Sequence, residues 1–519
     1  MFEPLLTVTY IPFIIKYFWN IGSFATIKIG LTFLSNKTIS ILILIILTSF
    51  LSSCRNIIPE PENPHNTVLI PNYYYNLGQD SSLNVESYIG VTHQPLKSQS
   101  SKPEWWESFG SSELNSLIET SLGENFTLKE AWARLKQAKA AHDSQNSSLF
   151  PSINFNASAS RKTLETTANT GILSSGGSSS SSYSSFSAGP GASYEIDLWG
   201  NINARILEYE SRTMAARFDV ETSAISVAAE ISNNWVELIT VRETIALVKQ
   251  QIEINTMLLE LLELRFVNSM STALDVLQQR EVVAKSRARI PPLEIREANL
   301  LNAIALLCGK SSRKEIFITT PTLGEISHIP QTGIPANLLS NRPDIKSAAF
   351  RLTASKWALF QARADRLPSL TLNGSFLLQH TSLENILKNW IFTLASTLNA
   401  TLFDGGKNSA AIDLASGVMD ERLASYQKTV FAAIMEVENS IAAETQRIKW
   451  IQLLKIELAT AKLALEEARN RYIKGIDSFI QVVTEELNVQ NLEINLLEQK
   501  AALFKDRISL FRALGGGLK

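Results

Sequence analysis

Cysteine is nearly absent: only Cys54 and Cys308 occur in 519 residues. A disulfide framework is therefore excluded, and one bridge at most could form. Histidine is also sparse. His65, His93, His142, His328 and His380 are scattered without the spacing of metal ligands. No P-loop, nucleophile elbow or paired-cysteine motif accompanies them, and Gly515-Gly516-Gly517 sits at the chain end instead of opening a helix. Nothing here points to an enzyme, a metal or a cofactor. Charge of one sign is lacking as well. The formal net charge is −2, with 19% charged residues, so there is neither a basic field for nucleic acid nor an acidic tail.

What is present begins with an export-type leader over residues 1–53. Lys16, Lys28 and Lys37 punctuate an apolar stretch that ends in Ile39 to Leu47, followed by Leu51-Ser52-Ser53-Cys54. A basic region, a short apolar run and small residues before a cleavage point are the parts of a secretory signal. The ending resembles a bacterial lipobox, which makes Cys54 the expected lipidated residue. A transmembrane anchor is the competing reading, against which the run is shorter than the roughly 20 residues a span needs. The stretch before Thr38 is longer than a signal requires, which leaves the translation start open. With Cys54 acylated, Cys308 has no partner; lying before Gly309 at a helix end, it reads as a small packed hydrophobe. Residues 54–110, rich in Pro, Asn, Ser and Tyr, read as an extended tether from the lipid anchor.

The body is duplicated. A single offset of 206 residues pairs Arg265-Phe266-Val267 with Arg471-Tyr472-Ile473, Val276 with Val482 and Gly309 with Gly515, without insertion. Residues 111–309 form the first repeat and 336–519 the second. A proline-marked link, 310–335, joins them.

Each repeat carries a pair of alternating segments. Ile153, Phe155, Ala157 and Ala159 alternate with Ser152, Asn154, Asn156 and Ser158; the return segment runs from Phe186 to Leu198. The hairpin of about 151–198, with a Gly/Ser-rich loop at Thr170 to Ser185, is repeated at about 369–402. One apolar and one polar face suit a membrane barrel. A soluble sandwich is the alternative, and it calls for more strands. Four strands cannot close, and open edges are not tolerated in lipid, so chains must pool them into eight, twelve or sixteen.

A helical hairpin follows each pair, at 201–308 and 407–514. Asn201 to Phe266 lacks Pro and Gly and predicts a helix of about 100 Å. Glu, Asn, Arg and Lys interrupt its apolar stripe throughout, so it does not cross a bilayer. An antiparallel coiled-coil rod is the alternative to a helical sheath. Pro291-Pro292 predicts a break in the first return helix, where the second has Leu497-Glu498.

Trp105-Trp106, Asp197-Leu198-Trp199-Gly200, Arg289 to Glu294, Leu306-Leu307-Cys308-Gly309, Arg342-Pro343-Asp344-Ile345 and Leu402-Phe403-Asp404-Gly405-Gly406 together resemble the TolC-type outer-membrane efflux channels. Within this outer membrane factor family they are similar to the lipoprotein branch serving resistance-nodulation-division pumps. The resemblance implies a mainly α, internally duplicated TolC-like fold with membrane β. In it a homotrimer builds a 12-stranded β-barrel, continuous with a long periplasmic α-helical barrel. It implies partners too: outer-membrane lipid, a periplasmic adaptor (membrane fusion protein) and an inner-membrane resistance-nodulation-division transporter.

The adaptor-docking tips implied are Arg265, Phe266, Ser269 and Thr272 in the first repeat. In the second they are Arg471, Tyr472, Gly475, Asp477 and Ser478. Relatives of this type often carry Asp-Val-Leu-Asp shortly after the second tip, narrowing the closed pore. Here the matching run is Gln481-Val482-Val483-Thr484, followed by Glu485. The candidate constriction is therefore Asp275, Gln481, Thr484 and Glu485, with solvated helix charge as the competing reading. The expected function is a passive exit duct for small molecules. Type I polypeptide secretion and a lipid-anchored periplasmic scaffold without a pore are the alternatives.

Overall fold

The computed structural model describes residues 105–167, 178–324, 326 and 337–516. The leader, Cys54 and the tether up to residue 104 lie outside the described residues. A short 3-10 turn, Trp105–Phe109, precedes α1 (Ser112–Glu124) and α2 (Phe126–Asn146). Strands β1 (Ser152–Thr167) and β2 (Ser178–Ile196) lead into α3 (Asn201–Val267), α4 (Ala273–Ala288) and α5 (Ile290–Leu307). The second repeat follows with α6 (Asn337–Asn341), α7 (Pro343–Ala364), β3 (Ser369–His380), β4 (Trp390–Asn399), α8 (Lys407–Ile473) and α9 (Phe479–Ala513). Both outgoing helices, α3 and α8, are 67 residues long, about 100 Å at helical rise. Among the described helices none is long and apolar enough to cross a membrane.

The four strands form one antiparallel sheet in the order β1-β2-β3-β4. Its register stacks the apolar alternation of every strand on one side: Phe155 faces Pro190, Ala188 faces Leu378, and Phe376 faces Phe392. The other side is hydroxyl- and amide-rich, where Ser158 and Ser187 share a 2.7 Å hydrogen bond and Ser193 donates to Asn373 at 2.9 Å. The alternation read from sequence is thus the alternation of the sheet. The loop is shorter than expected, because Ser178 to Ser185 belongs to β2 and pairs with Thr167 to Ser160. Serine has no strand preference of its own; the facing strand's backbone supplies a partner for the ladder. The break expected at Pro291-Pro292 falls between α4 and α5, around Arg289.

The repeats end alike. Asn125, the N-cap of α2, reaches the last turn of α5 by donating Nδ2 to Leu307 O at 2.9 Å, while Arg342 before α7 donates to Ala513 O at 2.9 Å. At the first junction Gly309 (φ +68°) comes so close that a Cβ would stand 2.6 Å from Glu124 O. Cys308 beside it is fully buried, and burial pushes its thiol up to about 11. From there the described part of the link runs along the helices. Glu113 accepts from Thr319 N and Thr320 Oγ1, Arg242 donates to Ile318 O, and Glu243 accepts from Leu323 N.

The cores of the two hairpins differ. Leu238 and Leu301 pack in the first, the former fully buried. Shifted by 206 residues, these positions are Glu444 and Arg507, a buried ion pair between α8 and α9 with Nε to Oε1 at 3.0 Å. Removing Arg507 leaves the Glu444 carboxylate buried without its cation, a cost of about 3–5 kcal/mol. Replacing both with the leucines of the first repeat should be neutral or stabilising. Chemical denaturation of Glu444→Leu, Arg507→Leu and the double variant checks this; a double variant as unstable as the singles would contradict it. For Cys308, Ellman's reagent at pH 8 should react only after denaturation.

Candidate functional site

The far ends of the two helical hairpins are built to one plan. At the first, Ser269 N donates to Phe266 O at 2.9 Å and Met270 N to Arg265 O at 2.8 Å. At the second, Gly475 N donates to Tyr472 O and Ile476 N to Arg471 O, both at 3.0 Å. This is the helix-terminating pattern that requires a left-handed residue. Gly475 supplies it at φ +70°, whereas Ser269 holds φ +58° with a side chain attached. For a non-glycine residue that conformation costs about 1–2 kcal/mol.

The turns are then closed differently. In the first, Thr272 caps α4 through a reciprocal box: Asp275 N donates to Thr272 Oγ1 at 3.2 Å and Thr272 N donates to Asp275 Oδ2 at 2.9 Å. In the second, Ser478 makes no side-chain cap bond. Instead Arg471 donates to Asp477 within the loop, and that hydrogen bond holds the Asp477 carboxyl below its ordinary range. The pair's contribution is present above the ordinary carboxylate pKa and is lost as pH falls through the lowered one. It lies in open solvent, so it steadies the loop locally.

Residue 271, the counterpart of Asp477, is serine. Freed from such a bond, the Arg265 guanidinium lies over the Tyr472 ring at 4.8 Å, joining the two tips by a cation–π contact. Tyr472 in turn packs on Phe479, with centroids 5.3 Å apart. Arg265 Nε and Tyr472 OH are buried there without hydrogen-bond partners. Around this contact Phe266, Val267, Met270, Ile473 and Ile476 are exposed.

Of the candidate constriction residues, Asp275 is engaged in its cap, Gln481 and Thr484 are exposed, and Glu485 is half-exposed. No hydrogen bond or ion pair within the chain joins these four. The neighbouring Glu486 is buried, paired with Arg469 and accepting from Gln490 Nε2 at 3.0 Å. That glutamine also donates to Asn255 Oδ1 at 3.2 Å, while Gln279 donates to Asn255 O at 2.9 Å. A hydrogen-bonded polar layer therefore crosses the seam between α3, α4 and α9. The sequence signal for it was the apolar stripe Val248, Leu258, Leu262 interrupted in phase by Gln251 and Asn255.

Ser269→Gly should relieve strain, and Gly475→Ala should introduce it, by about 1 kcal/mol each. Hydrogen exchange at Met270 and Ile476 is expected to slow in the first variant and quicken in the second.

Residues 117–310 and 334–516 match the family described as outer membrane efflux protein, with the gap in the match falling on the link between the repeats. The pyoverdine export outer membrane protein OpmQ of Pseudomonas aeruginosa is 29% identical over 420 residues, covering 80% of this chain and 87% of that protein. Outer membrane protein OprJ of the same organism is 27% identical over 424 residues, covering 79% and 86%. The solved outer-membrane channel OprN superposes with a TM-score of 0.77 at 23% identity, over 89% of this chain and 99% of that one. With two repeats of strand pair and long helical hairpin matched from end to end, the chain belongs to the outer membrane efflux protein family and has its TolC-like fold.

Proposed function

We propose that the chain is one subunit of a homotrimeric exit duct for small molecules. Its sheet contributes four of twelve strands to an outer-membrane barrel, and its helical hairpins continue the channel into the periplasm. One observation carries this reading: a sheet with one predominantly apolar face and two unpaired edges runs directly into two helical hairpins about 100 Å long. A sheet of this kind needs further strands before it can lie in hydrocarbon. The polar side, lined by Ser, Asn and Thr, then faces water and discriminates little among solutes. Export of a small molecule, as in the name of the pyoverdine relative, favours small cargo over polypeptide.

Work comes from elsewhere in this scheme. An inner-membrane resistance-nodulation-division transporter supplies energy, and a periplasmic adaptor docks on the tips at Arg265 to Thr272 and Arg471 to Ser478. The exposed apolar residues there support such a contact. Lipid on Cys54 tethers the chain, and Arg55 in place of aspartate favours outer-membrane sorting.

Protein purified in mild detergent should be trimeric and should conduct in planar bilayers. Monomers without conductance would sink the proposal. Gly475→Leu is expected to lower export through strain at positive φ while trimers survive, and undiminished export would argue against the docking role. Cys54→Ser should abolish lipid labelling; labelling that persists would relocate the anchor.

A further inference from the structure

The hydroxyl- and amide-rich side of the sheet is interrupted at one rung. Leu377 of β3 stands opposite Ile391 of β4, on the side that also carries Asn373, Ser375, Thr393 and Thr397. Among the described residues no other rung of that side sets two aliphatic side chains against each other. Leu377 is half-buried and Ile391 is 44% exposed. An aliphatic pair left against water is unfavourable, so its presence in an otherwise polar wall calls for a reason.

The wall beside the pair is bare. The ladder joins Ala188 to Leu378 and Gly191 to Ser375, so Gly189 falls against Leu377, while Asn156 and Asn154 of β1 face Gly189 and Gly191. Gly189 is required by the backbone, since a Cβ there would lie 1.9 Å from Phe376 O. Gly191 is not. Its φ is not positive, and a Cβ would meet only Gly374 O, at 3.9 Å. A glycine inside a strand weakens it and often marks a place that a ligand approaches closely. The four strands thus form a shallow notch, with Leu377 and Ile391 as an aliphatic flank, peptide backbone as the floor and two amides on the far side.

Formal charge is missing from this level. Along the polar side the nearest charged residues are Glu195, toward the helices, and Lys162, which pairs with Tyr183 near the other end. Both rungs are six residues along β2 from Gly189, about 20 Å at strand rise. A charged solute finds no counter-charge there to offset its desolvation, whereas an apolar ring gains the area it covers.

We propose that Leu377 and Ile391 determine selectivity in the exit. Their rung holds the apolar part of an uncharged, amphipathic small molecule in passing, and Asn154 and Asn156 offer hydrogen bonds to its polar part. The inference rests on the reading of the polar side as a water-filled lumen, and it adds the level at which that lumen discriminates and the class of solute it favours.

Thiol chemistry on the full-length protein reads this preference. Ser375→Cys places a thiol on the rung of Gly191, and Ser160→Cys places one on the same side outside the notch, opposite Ser185. Cys308 is buried, and the wild-type chain serves as the blank. The ratio of labelling rates with N-phenylmaleimide and N-ethylmaleimide cancels differences in thiolate content. It should be about tenfold higher at 375 than at 160, and Leu377→Ser or Gly191→Val should each bring it down to the value at 160. Equal ratios at the two positions, or a raised ratio that outlasts either substitution, would overturn the inference and leave the channel reading intact. Thiols at both positions that stay closed to a charged methanethiosulfonate added from water would overturn the water-filled lumen and this inference together.

Discussion

Water can satisfy the amides of an unpaired strand edge, but in hydrocarbon each of them costs several kcal/mol, and β1 and β4 each present such an edge in the single chain. Much else in the molecule can be understood from that constraint. It makes the apolar face useful only in company, because the same alternation that suits lipid on one side leaves hydroxyls and amides on the other. It also fixes where the long helices start. β2 and β4 each give way within a few residues to a 67-residue helix, so whatever closes the sheet also arranges the helices beneath it.

Duplication has kept lengths and turns while letting interiors diverge. The outgoing helices match residue for residue in length, and both tips end with the same pair of backbone hydrogen bonds. Their interiors are held by different physics: leucines at 238 and 301, a buried ion pair at 444 and 507. Ion pairs of this kind seldom add stability over well-packed apolar residues. The second hairpin thus tolerates charge in its core where the first, beneath Trp105 and Trp106, is closed by aromatic and aliphatic packing.

Much of this was legible in the sequence, since it depends on period and on punctuation. Strict alternation marked the strands, the absence of Pro and Gly marked α3, and Pro291-Pro292 marked the division between α4 and α5. Pairing decided what period could not. Ser178 to Ser185 became strand because a facing strand needed partners. The role of Asp275 was legible only in part. Thr-Ala-Leu-Asp is a capping-box spacing, yet a carboxylate near a tip resembles a pore ligand equally well until its hydrogen bonds are known. The contact of Arg265 with Tyr472 depends on residues 207 positions apart, and no local pattern announces it.

The division at Arg289 has a mechanical side. In the second hairpin the return helix is continuous from Phe479 to Ala513, a strut of about 50 Å whose backbone ladder carries load along its length. In the first, prolines at 291 and 292 remove two ladder hydrogen bonds, and the helix is articulated in two segments. Arg289 between the segments keeps helical dihedrals, φ −76° and ψ −21°, and the outgoing helices match in length. The two hairpins of one chain therefore differ in the backbone bonding of their return helices, although their turns are drawn to the same pattern.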